Sequence, residues 1–337
     1  MNSFRIKDKL IGSGHPVFII AEIGINHMGE YDLARKLVSE AFKSGADAVK
    51  FQIINPEESY QKGTESYEVF SKFKLKNFEY EKLFKEFKKD YIIFATPGDL
   101  ESLKVCDKIG MEAYKISSGL ITNLPLIKEI AKKRKPIFLS RGMSNDKIIE
   151  QSLKILDEYN IKKKVLLHCV SIYPSESEEL NLRNIIGLRN KFNINIGYSD
   201  HTDGILSVCS SVALGACVIE KHFTLNRKSN PPDKLVSLEP KEFKNMVKKI
   251  REIEKMMGKE EITVGIRELK QLGKMKRFCV AKKIIKKSDR ITINNVSFKR
   301  LKEAKEAIDA FNFKKIENKV CIKEIAKNEI IFLEYLN

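Results

Sequence analysis

Two histidines, His201 in GYSDHT and His222 in VIEKHFTL, each close a short apolar segment. Two neutral imidazoles that converge, with coordination positions left open, suit a divalent cation acting as a Lewis acid on a substrate oxygen. A histidine at a strand end can also be an ordinary hydrogen-bonded residue, and the pair alone does not decide between the two readings. Lys50 and Lys115 lie in other apolar segments, and Lys221, beside His222, is a third candidate, all aimed at a shared centre. Clustered cations there call for an anion. Ser118, Ser140, Ser171 and Ser199 add hydroxyls and strand-end amides that suit a phosphate, while Lys50 and Thr96 suit a carboxylate. The expected ligand therefore bears both groups, as phosphoenolpyruvate does. His168 falls inside an apolar pattern and reads as a core residue, and His27 reads as a brace for the first loop.

Such residues need a frame that gathers strand ends. Short β-rich apolar segments alternate with longer segments of helical period, the signature of parallel βαβ units buried on both faces. Eight strands are expected, at Val17–Ile23, Ala48–Gln52, Tyr91–Ala95, Ala113–Ile116, Pro136–Ser140, Val165–Cys169, Ile194–Tyr198 and Cys217–His222. Helices such as Tyr31–Ser44 and Gly204–Gly215 follow them. Eight units in about 250 residues point to a closed (β/α)8 barrel, whose active sites collect where strands end. Those ends carry, in order, Glu22, Asn26 and His27; Lys50 and Gln52; Thr96 and Asp99; Lys115, Ser117 and Ser118; Ser140 and Arg141; Ser171 and Tyr173; Ser199, Asp200 and His201; and Glu220, Lys221 and His222. Burying so many polar groups at one rim is costly unless they bind something. After a helix at Pro240–Met257, the segments Phe278–Ile284, Arg290–Val296 and Lys319–Tyr335 read as a small β-rich tail. The chain thus divides into a barrel over residues 1–260 and a tail over 276–337, with the boundary between Gly258 and Lys276.

The formal charge of +17 raises the question of nucleic acid. The lysines are scattered over most helices beside glutamates, as in Glu81–Lys89 and Lys241–Lys249, which reads as solvated faces and not a nucleic-acid footprint. No apolar run approaches the roughly 20 residues of a membrane span, and Met1–Gly12 has no signal-peptide core. Six cysteines at irregular spacings, with Cys169, Cys209 and Cys217 in apolar segments, suit reduced thiols and a cytoplasmic setting.

The segments FIIAEIGINHMG (Phe18–Gly29), GADAVKFQ (Gly45–Gln52), KISSGLITN (Lys115–Asn123), LLHCVSIYP (Leu166–Pro174), GYSDHT (Gly197–Thr202) and VIEKHFTL (Val218–Leu225) resemble the sialic acid (N-acetylneuraminate) synthase family, in the family's order. The resemblance covers the barrel from Phe18 to Met257 and continues more weakly into the tail, which is similar to the family's antifreeze-like (SAF) domain. It implies condensation of phosphoenolpyruvate with an N-acylated amino-sugar aldehyde, N-acetylmannosamine or a 2,4-diacetamido-6-deoxyhexose, to a nonulosonic acid and phosphate. It also implies Mn2+ or Mg2+ held by His201 and His222. By the same resemblance Lys115, Ser118, Ser140, Ser171 and Ser199 hold phosphate, Lys50 and Thr96 hold carboxylate, and Glu22, Gln52, Tyr173 and Asp233 hold the sugar. Glu22, Lys50, Lys115, His201 and His222 form the implied catalytic set. A domain-swapped homodimer is implied as well, with Arg300 of VSFKR reaching the acceptor's acyl group.

The chain departs from the family pattern at several places. Gly98 stands where a Phe is usual and Leu120 where a Glu is common, which is expected to remove an apolar wall and a carboxylate from the acceptor side. Arg141 replaces a Thr, Leu301–Lys302 replace a Pro-Gly after Arg300, and the loop Asn55–Phe78 is short, with no clear acceptor-binding Asn. Two other readings remain open at this point. One is a different phosphoenolpyruvate aldolase resembling 3-deoxy-octulosonate-8-phosphate synthase, in which Arg141 would serve a second phosphate; the other is a non-catalytic sugar-binding barrel.

Overall fold

The computed structural model describes residues 3–302 and 306–337; residues 1–2 and 303–305, inside the expected barrel and tail, lie outside the described residues. The chain forms two compact units, Met1–Gly258 and Lys259–Asn337.

The first unit opens with a hairpin, β1 (Phe4–Ile6) and β2 (Lys9–Ile11), that the sequence pattern does not announce. Its strands are three residues long, too short for alternation to show, yet Phe4, Ile6 and Ile11 are buried. The Lys7 ammonium at its turn reaches the carbonyl of Tyr91, just ahead of the strand Ile92–Pro97, so the hairpin lies at the end where barrel strands begin. Eight parallel strands then close on themselves: β3 (Phe18–Gly24), β4 (Ala48–Ile53), β5 (Ile92–Pro97), β6 (Tyr114–Ile116), β7 (Ile137–Ser140), β8 (Lys164–Cys169), β9 (Asn195–Asp200) and β10 (Val218–His222), with β10 pairing β3. All eight expected strands are present. Their residues are buried on both faces, as a parallel sheet wrapped in helices requires.

The intervening helices show why they start and which face they bury. In Asp146–Glu158 the Asn145 side chain accepts from the Ile148 N–H, satisfying a donor the first turn leaves free. Ile149, Leu153 and Leu156, at helical spacing, turn one stripe into the core. Asp99 caps Leu100–Ile109 in the same way, through the Ser102 N–H.

Alternation along the strands sorts side chains between barrel interior and helix layer. Low in the interior, Phe18, Phe94 and Phe138 pack as a floor, with ring centroids 5.9 Å (Phe18 to Phe138) and 5.3 Å (Phe94 to Phe138) apart. On β10, Glu220 and His222 share the interior face, whereas Lys221 points the other way. The shared centre expected for Lys221 is therefore wrong. It is fully buried behind the wall, where its ammonium bonds the Asp200 carboxylate and the Thr202 carbonyl.

The second unit begins with a helix at Ile266–Met275 and pairs β11 (Phe278–Ala281) with β12 (Val296–Lys299) antiparallel. The expected strand at Arg290–Val296 is mostly a turn, because the Asn295 side chain bonds the Thr292 N–H and the Arg290 carbonyl and so folds the backbone on itself. Isolated bridges such as Ile285 to Ile325 and Arg290 to Val320 complete the unit around Cys279, Ile285, Ile291, Ile316 and Ile325.

Candidate active site

At the C-terminal mouth of the barrel, four charged side chains meet with almost no exposure: Glu22 1%, Lys50 2%, Lys115 2% and Glu220 4%. They come from β3, β4, β6 and β10, one inward position each. The Lys50 ammonium lies 3.1 Å from Glu22 and 3.3 Å from Glu220, and Lys115 lies 2.9 Å from the same Glu220 oxygen. Ser199 donates to that oxygen at 2.9 Å, and Gln52 donates to Glu22 at 3.1 Å. Glu220 is thus the hub of the cluster.

The ionisation preferences follow from this wiring. Burial alone would raise the Glu220 carboxyl, but Lys115 and Lys50 outweigh it and hold the group well below the usual carboxylate range. Burial does raise Glu22: Lys50, and more weakly His222 and Lys115, oppose it without overcoming it, and Glu220 adds to it as a like charge. Burial would lower Lys50, yet its two carboxylates carry it upward. Lys115, also buried, has one carboxylate and a cationic neighbour, and ends below its ordinary value.

His201 and His222 stand side by side, ring centroids 5.5 Å apart, with the Tyr173 ring 3.9 Å from His201. His201 Nδ1 donates to the Val170 carbonyl at 2.7 Å, which leaves Nε2 with a free lone pair. His222 Nδ1 faces the Asp233 carboxylate at 3.3 Å. Metal-binding imidazoles characteristically have their second nitrogen held by a carbonyl or carboxylate, so the pair fits a divalent ion. Among the described residues no group of three or more His, Cys, Asp or Glu could hold a metal by itself, so the remaining ligands would be water or substrate.

The cavity over these groups measures about 290 Å3. Lys50, Gln52, Thr96, Lys115, Ser118, Ser140, Ser171, Tyr173, Ser199, Glu22 and both histidines all line it, so the mouth gathers these expected barrel site residues. Asp233 joins them through His222. The Ser140 hydroxyl is buried there without a hydrogen-bond partner among the described residues. Gly142 lets the serines converge: a Cβ on it would lie 2.3 Å from the Ser171 hydroxyl and 2.5 Å from that of Ser118. A larger cavity of about 850 Å3 lies outside the mouth beside helix Asn77–Phe87, shares only Ile54 with the first, and holds no such buried ionic cluster.

Three residues gain roles that their types alone did not reveal. Glu220 appeared only as one rim carboxylate, and its place as hub depends on register across the barrel. Cys169, expected as a reduced thiol in an apolar segment, lines the cavity 3.8 Å from His201; burial raises it, but the His201, Ser118 and Lys115 contacts bring it down to about 7. Asn26 donates to the Phe223 carbonyl and the Ser237 hydroxyl and accepts from the Asp233 N–H, fixing the loop that brings Asp233 to His222.

The NeuB family model matches residues 37–262. The chain belongs to the NeuB family. N,N'-diacetyllegionaminic acid synthase of Campylobacter jejuni is 39% identical over 93% of this chain and 98% of its own length. An uncharacterised protein of Methanocaldococcus jannaschii is 44% identical over 89% of each chain. The crystal structure of N-acetylneuraminic acid (sialic acid) synthetase from Leptospira borgpetersenii in complex with citrate is 34% identical and matches with a TM-score of 0.77, over 80% of this chain and 95% of that one.

The departures from the family pattern take physical form. Arg141 bonds His168 Nδ1 at 3.3 Å and the Ser144 carbonyl and is not among the cavity lining, so it supplies no second phosphate site there. Leu120 packs against the core instead of the cavity. Gly98 does not leave an apolar wall missing, because Ile54 takes the space: a Cβ on Gly98 would meet its Cγ1 at 2.6 Å. Arg300 follows β12 in the second unit and is exposed.

Proposed function

We infer that this barrel condenses phosphoenolpyruvate with an N-acylated amino-sugar aldehyde to give a nonulosonic acid and phosphate, a carbon–carbon bond-forming transferase reaction. The observation that carries the reading is the sealed quartet of Glu22, Lys50, Lys115 and Glu220 beneath a serine-lined cavity, beside two imidazoles, one bonded through Nδ1 to the Val170 carbonyl and the other with its Nδ1 facing the Asp233 carboxylate. The relatedness to a diacetyllegionaminic acid synthase over nearly the whole of both chains favours a 2,4-diacetamido-6-deoxyhexose as acceptor over N-acetylmannosamine.

In this reading Lys115, Ser118, Ser140, Ser171 and Ser199 hold the phosphate, and Lys50 with Thr96 holds the carboxylate. An anion arriving at Lys115 competes with Glu220 for the ammonium, so the quartet serves as a stand-in counter-ion set that keeps both lysines charged and aimed. Glu22, Gln52, Tyr173 and Asp233 orient the sugar hydroxyls. The Glu22 carboxyl, raised by burial, is suited to hold a proton and pass it to a substrate oxygen. A divalent ion, Mn2+ or Mg2+, bound by His201 and His222 would polarise the acceptor's aldehyde oxygen. Carbon 3 of phosphoenolpyruvate attacks the aldehyde carbon, water adds at carbon 2, and the tetrahedral product expels phosphate by C–O cleavage. Lys115 and the serines neutralise the leaving group as its charge grows.

The enzyme works in the cytoplasm as a homodimer for surface-glycan synthesis, its SAF-type tail, residues 276–337, bringing Arg300 over the neighbouring mouth. Among the described residues no helix is long and apolar enough to cross a membrane. Phosphate release from phosphoenolpyruvate and Mn2+ with a panel of 2-acetamido and 2,4-diacetamido hexoses tests the reading. Release with a diacetamido sugar is expected; none with any acceptor would favour a barrel that only binds sugar.

A further inference from the structure

The Gly98 exchange does more than preserve a wall. The Gly98 N–H donates to the Ile53 carbonyl at 2.9 Å, which draws the ends of β4 and β5 together and seats Ile54 against the glycine. A Cβ at 98 would lie 2.6 Å from Ile54 Cγ1 and 2.9 Å from Cγ2, closer than such atoms approach, and a tight 3.1 Å from Cβ. A side chain at 98 and Ile54 in its present place are therefore mutually exclusive. The loop that carries Ile54 is pinned from the same side. The Asp99 carboxylate accepts from the Asn55 N–H at 2.7 Å and from the Ser59 hydroxyl at 2.9 Å while also capping its own helix. The pinned loop delivers Tyr60 beside Phe70, rings stacked with centroids 5.5 Å apart, and both rings line the mouth cavity together with Ile54.

Where this patch lies decides what it meets. In the closed strand order β5, which leads into Gly98, stands diametrically opposite β9, which leads into His201. The phosphate serines lie over β6 to β9, and the patch lies over β4 and β5. An open-chain hexose with its aldehyde oxygen at the histidines and its reacting carbon near the lysines extends carbon 6 toward the opposite rim. That rim offers two rings and an isoleucine, and among the described residues the cavity's two lysines, Lys50 and Lys115, are already paired with the buried carboxylates Glu22 and Glu220.

We propose that Ile54, Tyr60 and Phe70, admitted by Gly98, form the subsite for the far end of the acceptor and favour a 6-deoxy methyl group over a hydroxymethyl or a 6-phosphate. This rests on the phosphoenolpyruvate-dependent synthase reading above. An apolar pocket gains from burying a methyl group but excludes an added hydroxyl only moderately, so a kcat/KM preference on the order of 10- to 100-fold is expected. A doubly charged phosphate against stacked rings is refused more strongly, because its desolvation goes uncompensated.

Phosphate release is measured with saturating phosphoenolpyruvate and Mn2+ for three 2,4-diacetamido hexoses that differ only at carbon 6: methyl, hydroxymethyl and phosphorylated hydroxymethyl. The wild-type protein should rank them in that order. Ile54→Ala and Phe70→Leu should each lower the methyl-over-hydroxymethyl ratio by about threefold or more, with the KM for phosphoenolpyruvate unchanged. Gly98→Ala should depress kcat/KM for the methyl acceptor, and adding Ile54→Ala should restore part of it by giving back the space. A wild-type enzyme that turns over all three without preference, or variants that keep turnover and the same ratio, would overturn the subsite while leaving the synthase reading intact. No release from any of the three by the wild-type protein would sink both. Should Ile54→Ala not fold, the Phe70→Leu ratio decides alone.

Discussion

Replacing Glu220 with Gln removes one charge from the quartet and almost no volume, so what it costs is electrostatic. In the native cluster Lys50 retains Glu22 at 3.1 Å, but Lys115 has no carboxylate in ion-pair range other than Glu220 among the described residues. The variant therefore strands a cation that is 2% exposed. Breaking one side of a buried pair costs about 3–5 kcal/mol, a large share of the roughly 5–15 kcal/mol that holds a domain folded. A ceiling follows from the lysine itself, which can escape by losing its proton. From its ordinary 10.5 down to pH 7 that escape spans about 3.5 units, or ~5 kcal/mol, and at pH 9 only ~2 kcal/mol. Between the depressed folded value and 10.5 the unfolded chain binds more protons at Lys115 than the folded one, so stability of the variant rises with pH relative to wild type. Urea unfolding of both proteins at pH 7 and pH 9 should show a gap of about 3–5 kcal/mol that shrinks to about 2 or less. Inorganic phosphate, filling the place of the lost carboxylate, should narrow the pH 7 gap further. A gap below about 1 kcal/mol at pH 7, or one that ignores pH, would refute the assignment of Glu220 as the counter-ion that Lys115 depends on.

His201→Ala and His222→Ala should each cut turnover by at least about 1000-fold and weaken Mn2+ binding by titration while leaving the metal-free unfolding transition near wild type; ordinary activity in either variant would remove the ion from that pair. Burial holds His27 at about 3 and His168 at about 4, the latter with Arg141 adding to burial against the Leu180 carbonyl. Since the unfolded chain protonates both near 6.5 and the folded chain does not, this contribution is fully present above 6.5 and fades as pH falls, with a slope approaching about 2.7 kcal/mol per unit near pH 5. His27→Asn, which keeps an acceptor for the Gly29 N–H, should roughly halve that slope between pH 6.5 and 5 in urea titrations, and an unchanged slope would mean that His27 is not the buried neutral base described.

What the sequence disclosed depended on how local its cause was. The strands of the barrel were legible because each is a short apolar run buried on both faces, and the helix Pro240–Met257 because Pro and a reciprocal Glu239–Glu242 cap mark its start. The mouth residues were legible because a closed barrel collects strand ends by construction. Lys221 went astray for want of phase: a single residue of offset separates the interior face of β10 from its back, and Glu, Lys and His in succession give no apolar alternation to choose by. The Gly98 exchange was visible as a missing side chain but not as a replacement, since Ile54 meets it only through the hydrogen bond between the ends of β4 and β5. The opening hairpin left no trace because two strands of three residues carry too few positions for a period. In the tail, Asn295 bent a run of β-branched residues that propensity alone extends.

The three phenylalanines low in the barrel, Phe18, Phe94 and Phe138, make the chamber blind at its base. Lys50 and Lys115 lie at 2% exposure and Tyr173 at 51%, so on the proposed assignment the anion held by the lysines sits beneath the sugar that rests on the tyrosine. Loading on that assignment proceeds from the bottom up, anion before sugar, because a sugar that settles first stands over the anion's place.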